Sequence, residues 1–408
     1  MARRVVAGLA ALAAALAGAA AASSTDGAAV ERGQSDPAAA VDAANAVLDA
    51  RERALAAGDQ QAWMATVDPE APDAFKDAQA RHFAGLRSVP LERFALEARF
   101  GDTGDLAPEA DRFLPETRMS YRFDRYDDRD VVDTLWLTFV QRGDRWLVAS
   151  DTDVADLGLD TSRGLWDFGE VRTRATDHFI VLHHPEQADR ADALAAIAED
   201  AMARVVGLWD KPWSRAIPIV LPADVDELEQ LLQSTIDLDK FVAFVSYGAV
   251  RDTGWQATAP RMYIQDQNLS AYGRDFQVET IVHELAHAAG APVAGPLVPA
   301  WLHEGVADWL ATGRRTNEGR PRGSDGVLPR DYEFTTGSQE GIIRSYAESR
   351  SVISYLAGKA GTGAPTSLFA AVGEAKVAPG SVDRRVDDAL RALAGFGLPD
   401  LQRDWSRR

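Results

Sequence analysis

The segment ETIVHELAHAAG, residues 279–290, constrains this chain more than any other part of the sequence. At 100° per residue, its apolar side chains fall within an arc of about 140° on a helix. His283, Glu284 and His287 lie on the opposite side, and residues four apart stand one above the other. An ordinary surface helix would carry Lys, Glu or Gln on the side opposite its apolar residues. Two imidazoles and a carboxylate are instead the groups that a zinc hydrolase requires, so we expect a helix with one side in a core and the other facing a metal ion.

A second segment, PAWLHEGVADWL at 299–310, supplies what the first lacks. Pro299 suits a first helical turn, and the apolar residues share one side of the predicted helix. Glu304 and Asp308 lie one turn apart on the other side. A catalytic zinc takes three protein ligands and keeps one position for water, so Glu304 would complete the ligand set. Asp308 could accept a hydrogen bond from a coordinated imidazole.

Together, HELAH and the glutamate of WLHEGVAD resemble the gluzincin zinc metallopeptidases, which include thermolysin-like, aminopeptidase N-like and peptidase MA-like domains. The resemblance implies that His283, His287 and Glu304 bind Zn²⁺. It also implies that Glu284 is the catalytic general base and that Asp308 holds one of the ligating imidazoles. The HExxH pattern alone can arise by chance, and the second segment makes the metal site the stronger interpretation.

In gluzincins a downstream tyrosine or histidine stabilises the oxyanion that forms on the scissile carbonyl. Tyr346, in IIRSYAESRSVISYL, is the first candidate for this catalytic role, and Tyr332 and Tyr355 are weaker ones. A tyrosine that only packs between helices is an almost equal alternative for Tyr346. His303 is adjacent to Glu304, but one residue along a helix turns a side chain by about 100°, so we do not expect it to bind the metal.

One motif of the aminopeptidase N-like group is missing. That group grips the free amine of its substrate with a Gly-x-Met-Glu-Asn segment, and VSYGAV at 245–250 has a comparable place without the acidic residue. An exopeptidase is therefore unsupported, and an endopeptidase or a very narrow peptidase fits better. The family also implies that an extended peptide pairs with a sheet edge. APRMYIQ at 259–265 is the expected edge strand, and Pro260 is compatible with that position.

The order of elements predicts an α+β fold with two domains. In residues 168–408, the strand-like segments HFIVLHH, AIPIVLP, FVAFVSYGAV and APRMYIQ precede the histidine helix, and the chain after Gly290 reads as mainly helical. The resemblance extends in outline over this range, and it implies a zincin-type domain with a small mixed sheet and a helical C-terminal part. His183 and His184 follow a strand, and we assign them surface or core roles.

Residues 39–155 form the first predicted domain, in which amphipathic helices precede a curved antiparallel sheet. Its last segment contains a hairpin with Arg142-Gly143-Asp144 as the turn between two tryptophan-bearing strands. ALAAGD after the first helix and the closing GDRWLVASD resemble the nuclear-transport-factor-2-like cone fold, which hosts binding, enzymatic and structural roles. His82 is the only histidine of this domain, and we expect a surface or cap residue.

The N-terminus has the pattern of a secretory signal peptide over residues 1–22. Arg3 and Arg4 precede an uninterrupted apolar run that ends in Ala-x-Ala, and the polar residues 23–38 predict a linker. An uncleaved membrane anchor is the alternative, since the run is long enough to span a bilayer marginally. Either alternative predicts a secreted or cell-envelope protein, and cleavage would leave no membrane contact.

Composition narrows the functions further. A net charge of −19 disfavours nucleic acid as a partner, and the absence of cysteine excludes disulfides and thiolate metal ligands. A secreted zinc peptidase that acts on peptides or proteins is the leading hypothesis, with the first domain recruiting substrate or inhibiting the enzyme. Two alternatives stay open: a non-catalytic envelope binding protein with a vestigial zinc site, and a zinc amidase acting on cell-wall peptides. Glu284 argues against a purely structural metal site, which would not need it.

Overall fold

The molecule combines helices with small sheets and ends in a helical C-terminal part, which confirms the predicted α+β class. The predicted signal peptide, residues 1–22, lies outside the described residues. Of the helices that are described, none is both long enough and apolar enough to cross a membrane. The structure is a computed structural model that describes residues 37–99, 111–209, 212–233, 238–250, 256–294, 298–374 and 381–408.

Three helices begin the N-terminal region. The first ends at Gly58, whose φ of 69° is a left-handed value that glycine adopts without strain. The second begins directly afterwards, where the Asp59 carboxylate accepts a hydrogen bond of 2.9 Å from the backbone N–H of Ala62. The helices are α1 (Pro37–Ala57), α2 (Gln60–Met64) and α3 (Asp73–Ser88).

In the described part of the N-terminal region, six strands follow, and they form two three-stranded antiparallel sheets instead of the one curved sheet that we predicted. The strands are β1 (Leu91–Arg99), β2 (Arg112–Phe113), β3 (Glu116–Phe123), β4 (Val131–Trp136), β5 (Thr138–Arg142) and β6 (Arg145–Ser150). One sheet has the order β1-β3-β4 and the other β2-β5-β6. Leu137 separates β4 of the first sheet from β5 of the second. Trp136, the last residue of β4, therefore does not belong to the predicted hairpin, which β5 and β6 form. The predicted turn is present, because Arg142 pairs with Arg145 around Gly143, whose φ is 65°.

A short 3₁₀ helix, Leu165–Asp167, connects the N-terminal region to the rest of the chain. Its buried Trp166 meets the ring of Tyr121 edge-on, with the ring centroids 5.2 Å apart. Its Asp167 carboxylate lies 2.6 Å from Nδ1 of His82, whose side chain is only 12% exposed. The prediction of His82 as a surface or cap residue is therefore wrong, because a carboxylate distant in sequence covers the ring.

A mixed five-stranded sheet begins the C-terminal region. Its strands are β7 (Arg172–Ala175), β8 (Phe179–His183), β9 (Ile217–Leu221), β10 (Ala243–Val250) and β11 (Gln256–Ile264), in the order β10-β11-β9-β8-β7. β8, β9 and β11 are parallel, and the outer strands β7 and β10 pair antiparallel with their neighbours.

The strands at the two edges of this sheet are β7 and β10, so the prediction that APRMYIQ forms an edge is wrong. β11, which contains that segment, lies between β10 and β9. Pro260 is tolerated inside the sheet because a bulge between Ser246 and Gly248 leaves it outside the hydrogen-bonded ladder. The edge strand next to β11 is β10, which contains VSYGAV. This is the segment that lacks the acidic residue of the aminopeptidases.

Helices complete the C-terminal region. They are α4 (Ala188–Leu208), α5 (Val225–Leu232), α6 (Asp266–Leu269), α7 (Arg274–Gly290), α8 (Ala300–Ala311), α9 (Gln339–Ala360), α10 (Ala364–Glu374), α11 (Val382–Ala394) and α12 (Leu398–Ser406). The two segments singled out in the sequence form α7 and α8. α7 contacts α4, β10 and α8, while α8 also packs against α9. The two segments therefore lie at the centre of the helical part.

Buried side chains connect the two regions. The largest apolar cluster surrounds α4, α7, α8 and α9, and a second one joins Phe123 and Trp166 to Ile180 and Leu182 of β8. Arg261 of β11 forms a buried ion pair with Asp127, which follows β3, through contacts of 2.6 and 2.7 Å. Each partner satisfies the other's charge away from solvent.

His183 and His184, at the end of β8, are both buried and belong to the core. Nε2 of His184 lies 2.9 Å from the carboxylate of Glu227 in α5. Nδ1 of His183 lies 2.7 Å from the backbone carbonyl of His184. The contacts of both imidazoles are thus made within the sheet-and-helix packing.

Candidate metal centre

The helix α7 is buried around almost its whole circumference. Ile281 and Leu285 have no exposed surface, and His283, Glu284 and His287 are at most 1% exposed. The polar side that the sequence predicts is therefore turned toward other protein elements and away from bulk water. Polar groups buried in this way need partners or a bound ion.

The three predicted ligands converge on one point. Nε2 of His283 lies 3.0 Å from Nε2 of His287, and the two nitrogens lie 3.1 and 3.4 Å from Oε2 of Glu304. The one-turn spacing on α7 aligns the imidazoles, and α8 brings the carboxylate from the opposite side. These three residues form a buried group whose ligand atoms all lie within 4.8 Å of one another.

The donor set at this point fits a metal cation. Burial opposes charge on His283, but its hydrogen bonds with Asp308 and Glu304 raise the imidazole pKa well above its ordinary value. Burial also opposes charge on Glu304, yet the neighbouring imidazoles hold its pKa well below the usual range. The site thus favours one positive charge, which a proton or a metal ion supplies. Two imidazole nitrogens and one carboxylate oxygen are a ligand set that catalytic zinc sites use.

Asp308 lies behind the ligand set, where its role as a hydrogen-bond partner was expected. Its Oδ1 is 3.0 Å from Nδ1 of His283. Its Oδ2 is 3.3 Å from Nη1 of Arg350 in α9, and Nε of that arginine is 3.1 Å from Glu318. Arg350 was not identified in the sequence, because no local pattern relates it to the HELAH segment.

Glu284 differs from the three clustered groups because it has no firm partner. Neither of its carboxylate oxygens makes a hydrogen bond of normal geometry to the described residues. Burial raises the pKa of Glu284 to about 8, and the nearby charge of Glu304 adds to the rise. The backbone of Val245 in β10 opposes the rise, which places the carboxyl toward the edge strand. A carboxyl in this environment can accept and release a proton near neutral pH.

Two buried phenols face the same carboxylates. Tyr346 of α9 has its ring centroid 6.2 Å from that of His283, and burial together with the charges of Glu304 and Glu284 raises its pKa well above the ordinary value. Tyr247 of β10 has its pKa raised by the same causes. Neither hydroxyl makes a hydrogen bond of normal geometry to the described residues. Both phenols are therefore protonated donors close to the site.

Tyr247 was missed in the sequence, because VSYGAV was compared only for an acidic residue. The weaker candidates Tyr332 and Tyr355 have other surroundings. Tyr332 is 64% exposed, and the ring of Tyr355 faces the charged ends of Lys359 and Arg408. The structure thus brings Tyr346 and Tyr247 to the site, and it does not bring the other two.

His303 packs against His287 but does not belong to the group formed by His283, His287 and Glu304. Its ring stacks on that of His287, with centroids 4.5 Å apart and an interplanar angle of 13°. Burial lowers the pKa of His303 to about 3, and the neighbouring His287 adds to the effect. A neutral stacked ring of this kind fixes the orientation of the His287 imidazole.

The close approach of α8 and α9 depends on Gly305. A Cβ atom at this position would lie 2.7 Å from the backbone oxygen of Ser349 and 2.8 Å from Cγ1 of Ile353. The absence of a side chain at Gly305 therefore lets α9 approach closely enough for Tyr346 and Arg350 to reach the site.

Comparison with models of known protein families, with curated proteins and with solved structures finds no match for this chain.

Proposed function

We propose that this protein is a zinc-dependent peptidase of the gluzincin type, secreted through its N-terminal signal sequence. The observation that carries the proposal is the position of Glu284, a buried carboxyl without a firm partner beside two imidazoles and a carboxylate. A metal site with a purely structural role needs three or four ligands and has no use for such a base.

The chemistry follows from the residues around the site. Bound zinc would lower the pKa of a water molecule and polarise a peptide carbonyl. Glu284 accepts a proton as the water oxygen bonds to the carbonyl carbon, and it returns the proton to the amine nitrogen as the C–N bond breaks. Asp308 holds the His283 ring through Nδ1. Tyr346, with Tyr247 as the second candidate, donates a hydrogen bond to the carbonyl oxygen as it gains negative charge.

The substrate we propose is an extended peptide segment. β10 is an edge strand, and Glu284 is directed toward its Val245. A peptide added to this edge would pair through backbone hydrogen bonds and pass beside the base. An endopeptidase fits this arrangement, because pairing along an edge needs no free terminus. The N-terminal region, whose cone-like fold remains part of the proposal, would recruit substrate or restrict access.

The decisive experiment compares three variants of residues 23–408 for metal content and peptide hydrolysis. Glu284→Gln should retain the metal and lose at least about 1000-fold in kcat, because the base is removed and the ligands are kept. His283→Ala should lose both metal and activity. Glu279→Gln is the matched control, since Glu279 is exposed on the same helix. Metal analysis should include iron, which also accepts two histidines and one carboxylate.

Each alternative has its own outcome. Hydrolysis of cell-wall peptides without hydrolysis of protein substrates would identify the amidase. Full metal content without hydrolysis of either substrate class would favour the binding protein with a vestigial site. A protein that binds no divalent metal would remove the basis of the proposal.

A further inference from the structure

A large cavity lies between the N-terminal region and the five-stranded sheet. Its volume is about 1040 Å³, which is sufficient for a ligand of several hundred daltons. β3 and β4 line one side, β9, β10 and β11 line the other, and residues 158–166 of the connecting segment close it. The aromatic side chains among its lining residues are Tyr121, Phe123, Trp136, Trp166, Tyr247 and Tyr263.

The positive charges that line this cavity are already neutralised. Each of its three arginines forms an ion pair with a carboxylate, so none of them is available to hold an anionic ligand. The pairs are Arg118 with Glu116 at 3.1 Å, Arg163 with Asp151 at 2.7 Å and Arg261 with Asp127 at 2.6 Å.

Two carboxylates that line the cavity have no ion-pair partner among the described residues: Asp160 is exposed to solvent, and Asp133 is only partly exposed. The side chain of Asp133, in β4, makes no hydrogen bond or ion pair with any described residue, and it lines the cavity. Burial raises the pKa of Asp133 to about 6, against the attraction of Arg261. Burial raises the pKa of the nearby phenols of Tyr121 and Tyr263, and the Asp133 charge adds to the rise. An isolated carboxylate among aromatic rings is costly unless a ligand compensates it.

We propose that this cavity binds an organic cation, a guanidinium or ammonium group, with Asp133 as its counter-charge. The aromatic residues Trp166, Tyr121 and Tyr263 line the same cavity as Asp133, which supplies the opposite charge. An anion would meet Asp133 and no free arginine. A purely apolar ligand would leave that carboxylate unsatisfied.

Tyr247 connects this cavity with the metal centre. Its side chain lines the cavity, and burial together with the charges of Glu304 and Glu284 raises its pKa. Two sources of the cation are therefore consistent with the geometry: a free small molecule, or a lysine or arginine side chain of a bound peptide. The second source rests on the proposed peptidase function, and the first does not.

The first arm of the test measures binding alone. We would titrate the full chain carrying Glu284→Gln, which prevents turnover, with N-acetyl-arginine methylamide and with the citrulline compound, its neutral isostere. We expect the arginine compound to bind at least about tenfold more tightly, and Asp133→Asn to abolish that difference. Asp144→Asn changes the net charge equally at an exposed turn, and it should leave the difference intact. Equal binding of both compounds, or an unchanged preference in Asp133→Asn, would overturn the proposal.

The second arm separates the two sources in the protein with Glu284 intact. For a substrate side chain, Asp133→Asn should lower kcat/KM about tenfold for arginine peptides and leave citrulline peptides unaffected. If the natural ligand is a free cation, the wild-type site should still prefer the arginine compound in the first arm. Asp133→Asn should then change kcat/KM equally for the arginine and the citrulline peptides. Absence of any hydrolysis would contradict the peptidase function, and the first arm would still decide whether the cation site exists.

Discussion

Nδ1 of His283 lies 3.0 Å from Oδ1 of Asp308, which is on the helix that also carries Glu304. One helix, α8, therefore provides both the carboxylate of the proposed metal group and the carboxylate that contacts one of its imidazoles. Arg350 extends the arrangement by contacting the second oxygen of Asp308. The imidazole is thus held by charged groups that lie outside the cluster of His283, His287 and Glu304.

Substitution of Asp308 by asparagine tests this arrangement. Asp308→Asn removes the negative charge behind His283, and we expect metal affinity to fall by about 10- to 100-fold. Competition with a chelator of known affinity measures the change. Glu318→Gln is the matched control, because Glu318 contacts Arg350 and has no contact with the imidazole. Wild-type affinity in Asp308→Asn would show that the Asp308 contact does not tune the metal site.

The two phenols near Glu304 can be ranked by removing each hydroxyl. Tyr346→Phe should lower kcat by about 100-fold with unchanged metal content, because loss of one donor to an oxyanion has an effect of this size. Tyr247→Phe is the direct competitor, and Tyr355→Phe on the same helix α9 is the control. If Tyr247→Phe causes the large loss and Tyr346→Phe does not, the donor comes from the edge strand.

The sequence allowed the clustering of the expected metal-site residues to be predicted because the relationship within each pair is local. His283 and His287 are one turn apart, and so are Glu304 and Asp308, so periodicity alone places each pair on one side of a helix. The convergence of the two helices could be anticipated only through the resemblance to a metallopeptidase family. In the structure the two helices do meet, and Oε2 of Glu304 lies 3.1 Å from Nε2 of His283.

Features set by long-range pairing could not be predicted in the same way. β10 rather than β11 is the edge because β11 pairs with β9, and no local pattern in APRMYIQ encodes that partner. The division of the N-terminal strands into two sheets depends on a change of partner at Leu137. Arg350 and Tyr247 reach the site from other elements for the same reason, which is why the sequence did not single them out.

The contact of α8 with α9 can be tested at Gly305. Gly305→Ala places a methyl group within 2.7 Å of the Ser349 carbonyl oxygen, so we expect a loss of about 1–3 kcal/mol in the free energy of unfolding. Metal affinity should fall with it, because Glu304 is the preceding residue. Gly207→Ala in α4 is the control: no atom lies within 4 Å of its added Cβ, and it should stabilise by about 0.5–1 kcal/mol. Equal effects of the two substitutions would contradict the close packing at Gly305.

The unpaired Asp133 should make stability depend on pH in a defined direction. Its pKa is about 6 in the folded protein against an ordinary value of 3.8, so the folded state binds the proton more tightly than the unfolded chain. At pH values below 3.8 both states are protonated and the carboxyl costs no stability. Between 3.8 and 6 the unfolding free energy falls as pH rises, and above 6 the loss stays constant at about 2–3 kcal/mol.

Asp133→Asn removes this ionisation while keeping the shape of the side chain. We therefore expect the variant to be more stable than wild type by about 2 kcal/mol at pH 7.5 and nearly equal to it at pH 3.5, as measured by urea unfolding. The proposed metal ligands are the same in both proteins, so the difference between their stabilities reports on residue 133. Asp144→Asn, at an exposed turn, should show no such difference. A stabilisation of equal size at both pH values would mean that packing, and not the desolvated charge of Asp133, is responsible.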